Sequence, residues 1–523
     1  MESEVATMTR TRPGVIVIVM AVLTLAGCAG SSTETGRAAP PAHGPNPPPP
    51  PQEHQPLPPG EPQRDAPYPG VTYENPGVNP PRDPIFDQRS TFALDVDTGA
   101  YGIARRYLTD GYLPDPDSVR VEEFVNAFDG GYESPTEGTF AITADGAPAP
   151  FMWSSDTSYL LRIGVQARDL ADEQRPNARL TFVIDTSGSM EMENRLELVK
   201  RALGLLVDGL RPSDSVAIVE YGSEARVVLA STPAQDAWAI HDAIDHLRPG
   251  GSTNAAAGLL LGYDVARRAY DADSLNRVVL ASDGVANVGL TDPDGMLGLI
   301  GDAATEHIQL VTVGFGMGNY NDTLMERLAD HGDGFYGYVD DLDEARRLFL
   351  DDLTGTLTTV ALDGKAQVTF DPAQVRSYRL LGYENREIAD HEFRDDTLPA
   401  AGIGAGHAAT ALYELELMPG AHGVIGSAAL HWTDPASHEP HETSLAISTE
   451  DFAQSFGQAS PRFRLASFVA AWAGALRQDP WAAEVSLRAI ADEVRLLYPE
   501  LENDPDVAEL VQLTAEAARL GGR

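Results

Sequence analysis

Between residues 178 and 351 the chain alternates short apolar runs with longer amphipathic stretches, and this limits the folds open to it. Residues 180–184 read Leu-Thr-Phe-Val-Ile, the pattern of a strand buried on both faces. Residues 194–210 carry apolar side chains at helical spacing. Further strands are expected at 215–221, 225–230, 277–281 and 308–315, and helices at 233–247, 255–270, 293–305, 321–329 and 342–350. Such alternation predicts an α/β fold, a doubly wound and mainly parallel sheet with helices on both faces. The flanks read differently. Short helices are expected at 100–108 and 119–128 and a strand at 158–167. After residue 362 come β-rich stretches at 366–370, 409–417 and 424–432, and then amphipathic helices at 462–477, 481–497 and 507–520.

The strand at 180–184 runs into Asp185-Thr186-Ser187-Gly188-Ser189-Met190. Ligands of open α/β sheets sit beyond the carboxyl ends of the strands, so Asp185, Ser187 and Ser189 are expected on a loop at the binding edge. Gly188 would let that loop turn tightly enough for both hydroxyls to face one centre. Two other segments reach the same edge: Gly250-Gly251-Ser252-Thr253-Asn254, which offers Thr253, and Ser282-Asp283-Gly284, which offers Asp283. Carboxylates and hydroxyls are hard oxygen donors, suited to Mg²⁺, Mn²⁺ or Ca²⁺. Asp-x-Ser-x-Ser alone is equally a turn or a helix N-cap; three parts in order, each on its own element, point to a metal site.

This set resembles the metal-ion-dependent adhesion site of von Willebrand factor type A domains, with Ser282 standing where a threonine commonly precedes the aspartate. Stretches at 90–98, 120–126, 316–322, 381–386 and 403–414 extend the likeness. They resemble a family of bacterial lipoproteins in which a type A domain lies between a characteristic N-terminal segment and a C-terminal domain. The likeness runs from Ser90 to the C-terminus and is weaker after Trp432. It implies that Ser187, Ser189 and Thr253 hold the cation directly, while Asp185 and Asp283 act mainly through water. A further position would then accept a carboxylate from a protein or envelope ligand. Type A domains have close termini, so the strands before 177 and after 362 are expected to pair into one sheet.

The N-terminal region points to export. Arg10 and Arg12 precede an apolar run at 15–25, shorter than a membrane span, and then Leu25-Ala26-Gly27-Cys28, similar to the lipobox of bacterial lipoproteins. Cys28 is the single cysteine, so no intramolecular disulfide is possible, and it is the expected site of lipidation. Residues 29–82 form a proline-dense stretch without apolar periodicity, read as a disordered tether. At ~3.1 Å per residue in extended form it would hold the folded part on the order of 100 Å from the lipid. The expected organisation is a signal segment over 1–28, the tether over 29–82, an N-terminal associated domain over 83–177, the type A domain over 178–352 and a β-rich, then helical, C-terminal domain over 353–523.

Acidic residues outnumber basic ones 78 to 37, a net charge of -41, which repels phosphate backbones and sets nucleic acid aside as a partner. The function expected is divalent-cation-dependent, adhesion-type binding at the lipid-anchored, exported side of the cell envelope. A scaffold in which the metal only stabilises the fold is the alternative. A metal-dependent hydrolase has less support, because the sequence has no G-x-S-x-G elbow, H-E-x-x-H helix or complete P-loop, and no enzyme is expected. Asp95 and Asp97 are read as exposed carboxylates on one strand face, His431, His438 and His441 as a solvated polar stretch, and Trp472 and Trp481 as core. Glu220, inside an apolar strand, is given no role.

Overall fold

The computed structural model describes residues 68, 71 and 73 and residues 75–522, apart from 151–157, 285–294, 299, 301–305, 320–321, 352, 396–397, 399, 401 and 483–484. The signal segment, Cys28, most of the tether and most of the helix expected at 293–305 lie outside the described residues. The chain forms β1 (Arg89–Ala93), α1 (Gly99–Thr109), α2 (Val121–Asn126), β2 (Phe140–Pro148) and β3 (Ser158–Ala167). The α/β part follows with β4 (Asn177–Asp185), α3 (Arg195–Gly209), β5 (Ser215–Tyr221), β6 (Ala225–Pro233), α4 (Ala237–Asp245), α5 (Ala255–Ala269), β7 (Ser274–Gly284), β8 (Gln309–Asn319), α6 (Asp322–His331), β9 (Tyr336–Val339), α7 (Leu342–Arg346) and α8 (Leu353–Leu357). Last come β10 (Thr359–Phe370), β11 (Val375–Leu381), β12 (Ile403–Gly404), β13 (Ala408–Leu417), β14 (Val424–Thr433), β15 (Pro440–Ser448), α9 (Pro461–Leu476), α10 (Leu487–Leu497) and α11 (Pro505–Gly521).

The central sheet has the order β6-β5-β4-β7-β8-β9, and every neighbouring pair is parallel except β5 with β6. Side chains alternate between the faces of a strand, and here each face has its own core. Leu180, Phe182 and Ile184 of β4 join Val216 and Ile218, Val279 and Ala281, and Val311 and Val313 against Leu196, Val199 and Leu203 of α3. Val183 joins Ala217 and Val219, Val278 and Leu280 against Leu259 and Tyr263 of α5. Burying such a side chain stabilises by about 1.5–3 kcal/mol, so the apolar run that marked β4 is the cost of lying between two helical layers.

The flanks do pair, though into two sheets. One has the order β1-β10-β14-β15, with β12 on the side of β10; the other is β11-β13-β3-β2. Each mixes strands from before and after the α/β part: Phe92 opposes Ala366, and Leu161 opposes Tyr413. Phe92, Leu161, Val368, Phe370, Tyr413 and Leu430 share the core between them. The terminal helices close a fourth core with α1 and α2, in which Trp472 meets Phe124 edge-on at 5.6 Å.

Several expectations need correction. Tyr68, assigned to the tether, is buried against the ring of Tyr107 at 4.9 Å, and Arg82 bridges to Tyr378, so ordered contacts begin before residue 83. The polar stretch after Trp432 is the edge strand β15, where an exposed face keeps the sequence polar; His441 stacks on Trp432, and His431 is buried on β14. Trp472 is core, but Trp481 is 41% exposed beneath the Arg379 guanidinium. Glu220 pairs with Arg226 across β5 and β6.

This topology makes the flanks interdependent. A chain lacking residues 83–167 loses β1, β2 and β3 and bares β10 and β13, and is expected to bind apolar dyes and aggregate. Residues 178–352 alone retain the whole central sheet and are expected to give a dispersed amide NMR spectrum.

Candidate metal centre

The centre of the α/β sheet is where its strand order reverses. From β4 the sheet grows to β5 on one side and to β7 on the other, so a crevice opens beyond the carboxyl end of β4. Asp185 is the last residue of β4 and lies beside Tyr221 of β5, while Ile184 lies beside Ala281 of β7, one residue before Ser282. Parallel pairing therefore brings the segments of Asp185 and Asp283 to one edge, where the loop carrying Thr253 joins them. Backbone bonds then clamp the loops together. The Gly188 N–H donates to Gly251 O at 3.0 Å, the Gly250 N–H to Thr186 O at 2.7 Å, and the Asn254 N–H to Gly222 O at 2.9 Å. Asn254 also caps α5, its side chain accepting from the Ala257 N–H, which holds the loop carrying Thr253. Gly188 has no positive φ; it lies where the two loops approach closely, and a Cβ there would stand 3.4 Å from Gly251 O.

Asp185, Ser187, Thr253 and Asp283 form a buried floor, while Gly188, Gly250 and Gly251 on the rim are exposed. The Ser187 and Ser189 hydroxyls lie 3.0 Å apart. Adjacent oxygen ligands of an octahedral Mg²⁺ with bonds of about 2.1 Å stand at nearly that spacing. Asp185 is held back from them. Its Oδ1 accepts from the Ser187 N–H at 2.8 Å and its Oδ2 from the Ser282 hydroxyl at 3.0 Å. Asp283 is paired with Arg195, whose guanidinium donates to its Oδ2 at 2.8 Å, both side chains being buried. Burial, and then the nearby Asp283 carboxylate, push the Asp185 pKa up to about 6. Two buried carboxylates thus face one guanidinium, and a divalent cation would relieve the imbalance. The donor set fits such an ion: neutral hydroxyl oxygens in front, with carboxylates behind.

Arg195 was not singled out from the sequence. Its one signal is position: it opens α3, where the helix dipole disfavours positive charge. Its partner across the sheet is Gly316, which has a φ of 75° and would place a Cβ 2.6 Å from the Arg195 Nε. That position therefore requires glycine both for its backbone and for the space Arg195 occupies.

Residues 180–352 match the family model described as von Willebrand factor type A domain, residues 69–160 one described as von Willebrand factor, and residues 355–425 one described as Uncharacterized protein YfbK, C-terminal. Residues 180–352 are thus similar to von Willebrand factor type A domains. The protein YfbK of Escherichia coli is 41% identical over 347 residues, 65% of this chain and 60% of that protein. A Synechocystis protein, sll0103, is 27% identical over 285 residues, 53% of this chain and 66% of the relative. The chain thus spans less than two thirds of the length of these relatives. Among solved structures, a von Willebrand factor type A protein from Catenulispora acidiphila aligns with 73% of this chain and 90% of its own at 17% identity and a TM-score of 0.43. Type A domains commonly hold divalent metal ions and mediate metal-dependent protein interactions.

A second acidic group lies where the type A domain meets its flanks, and it corrects the expectation for Asp95 and Asp97, which are buried. Oxygens of Asp95, Asp97 and Glu326 lie within 4.8 Å of one another. The Arg386 guanidinium sits among them, 3.3 Å from Asp95, 3.4 Å from Asp97 and 2.7 Å from Glu326, and also 2.6 Å from Asp330. Arginine thus supplies the positive charge here, and paired charges can be buried where lone ones cannot. Glu123, beside Arg120, accepts from the Ala100 N–H at 2.6 Å, and Glu122 is buried next to it. Burial raises Asp95, Asp97, Glu122, Glu123 and Asp330 above their ordinary range. Glu122, with Glu384 and Asp95 adding to burial, reaches about 7, and Asp330, where Arg386 opposes the effect, about 6.

Two outcomes follow. Gly316→Ala is expected to push Arg195 off Asp283 and to lower stability by about 1 kcal/mol or more, read from urea unfolding, with weaker Mg²⁺ binding by calorimetry. The raised acids stabilise the fold fully below the unfolded carboxylate range near pH ~4, and lose that contribution as pH rises through their folded values. Melting temperature is therefore expected to fall between pH ~5 and ~7, and Glu122→Gln to flatten the fall.

Proposed function

We propose that this chain is a lipid-anchored binding protein of the bacterial envelope, whose type A domain captures a protein or envelope ligand through a divalent cation. Ser187, Ser189 and Thr253 would hold the cation directly, with Asp185 and Asp283 behind them. The bound ion would supply an electrophilic position open to a carboxylate of the partner. One observation carries the reading: two serine hydroxyls 3.0 Å apart, Ser187 buried and Ser189 half-buried toward the open rim, with both acids already engaged by Ser282 and Arg195. Neutral direct ligands leave a cation with most of its charge, which favours an anionic partner.

The same engagement supports binding over hydrolysis. A general base must be free to accept a proton, and Asp185 and Asp283 already accept from Ser187, Ser282 and Arg195. Anchoring is read from the lipobox-like sequence at Cys28, which would place the domain on the exported side of a membrane.

The test is a pull-down from envelope extract in Mg²⁺, in EDTA, and with Asp185→Ala in Mg²⁺. A partner retained only by the native chain in Mg²⁺ is expected, with at least roughly tenfold weaker capture in the other two arms. The same partners at equal yield in all three would move the binding to the flanks.

A further inference from the structure

Away from the metal centre, α1, β9, α7, β13 and the start of α11 surround a cavity of about 230 Å³. Four aromatic residues, Tyr101, Phe335, Tyr336 and Tyr338, line it together with the carboxylates Glu344 and Asp506. Its charge is lopsided. Arg347 donates to Glu344 at 2.5 Å and to Asp506 at 2.8 Å. Arg105 behind it pairs with Asp340, with Glu344 at 2.9 Å and with Glu509 at 3.5 Å. At the wall itself the two carboxylates Glu344 and Asp506 share the one guanidinium of Arg347, which leaves a surplus of negative charge. The Tyr101 hydroxyl is buried and has no hydrogen-bond partner among the described residues. A buried hydroxyl left in that state is costly unless something else meets it.

These features select a ligand chemistry. Surplus negative charge excludes anions. A wall made largely of rings and methyl groups does not offer the converging oxygens that a metal ion needs. Aromatic faces with carboxylates nearby instead attract a weakly hydrated organic cation, through the ring quadrupole as well as the net charge. We propose that this cavity binds a small organic ammonium ion, with Glu344 and Asp506 supplying the counter-charge and the Tyr101 hydroxyl a hydrogen bond. A lysine ammonium of a partner, though more strongly hydrated, would meet the same carboxylates and rings and is the other source of such a cation.

The experiment is ligand-observed NMR with the full chain in EDTA, so that the metal centre does not contribute. The probes are choline, its uncharged isostere 3,3-dimethylbutan-1-ol, and a Gly-Lys-Gly peptide. Choline is expected to bind at least roughly tenfold more tightly than the isostere. Glu344→Gln and Asp506→Asn are each expected to weaken choline by a similar factor while leaving the isostere unchanged. If either variant fails to fold, the comparison of choline with its isostere on the native chain still decides. Tighter binding of the peptide than of choline would keep the ammonium chemistry and assign it to a partner's lysine. Equal affinity for choline and the isostere, or no saturable binding of either cation, would overturn the proposal.

Discussion

The burial of β4 on both faces is the constraint on which the rest depends. Its even-numbered core residues, Leu180, Phe182 and Ile184, pack toward α3, while Val183 packs toward α5, so the strand cannot shift by one residue without exchanging its two cores. That fixed register determines where the chain leaves the sheet. Asp185 emerges beside Tyr221 and next to Ser282 because β5 and β7 are locked to β4 in parallel. Short backbone bonds then hold the loop of Ser187 and Ser189 against the loop that carries Thr253. The electrostatics follow from the same placement: a site at the end of a buried strand is desolvated, and its acids require partners. Ser282 and Arg195 serve Asp185 and Asp283, and a cation would complete the charge balance.

The flanks solve a different problem. The type A domain interrupts a β-sandwich, and strands on either side of the insertion must find each other across more than the whole inserted domain. Long antiparallel registers such as β3 with β13 do this through apolar pairs. A buried ionic group adds to the joint: Arg386 from the C-terminal flank faces Asp95 and Asp97 from the N-terminal flank and Glu326 and Asp330 from α6 of the type A domain. Removing any one of these leaves charge uncompensated in a dry interior, so the group makes the three segments depend on one another.

What could be read from the sequence followed physical range. The strand and helix alternation of the α/β part was legible because periodicity is local, and the pattern Asp185, Ser187, Ser189 was legible because one loop carries it. Thr253 and Asp283 followed once strand ends were known to share an edge. Long-range pairing left weaker traces. Asp95 and Asp97 look exposed until Arg386, almost 300 residues on, is seen to neutralise them. The sequence alone places nothing beside Arg195. Edge strand β15 has one face in water and read as a polar stretch. Trp481 follows the usual habit of tryptophan less than it follows Arg379, under which it lies at the surface.

The most direct measurement is the position of a bound cation. Crystals of the folded part soaked in Mn²⁺ and recorded at the manganese absorption edge would locate it by anomalous scattering. The account predicts a peak bounded by the hydroxyls of Ser187, Ser189 and Thr253, lost in Asp185→Ala. Absence of a peak there, or a peak only among Asp95, Asp97 and Glu326, would contradict it.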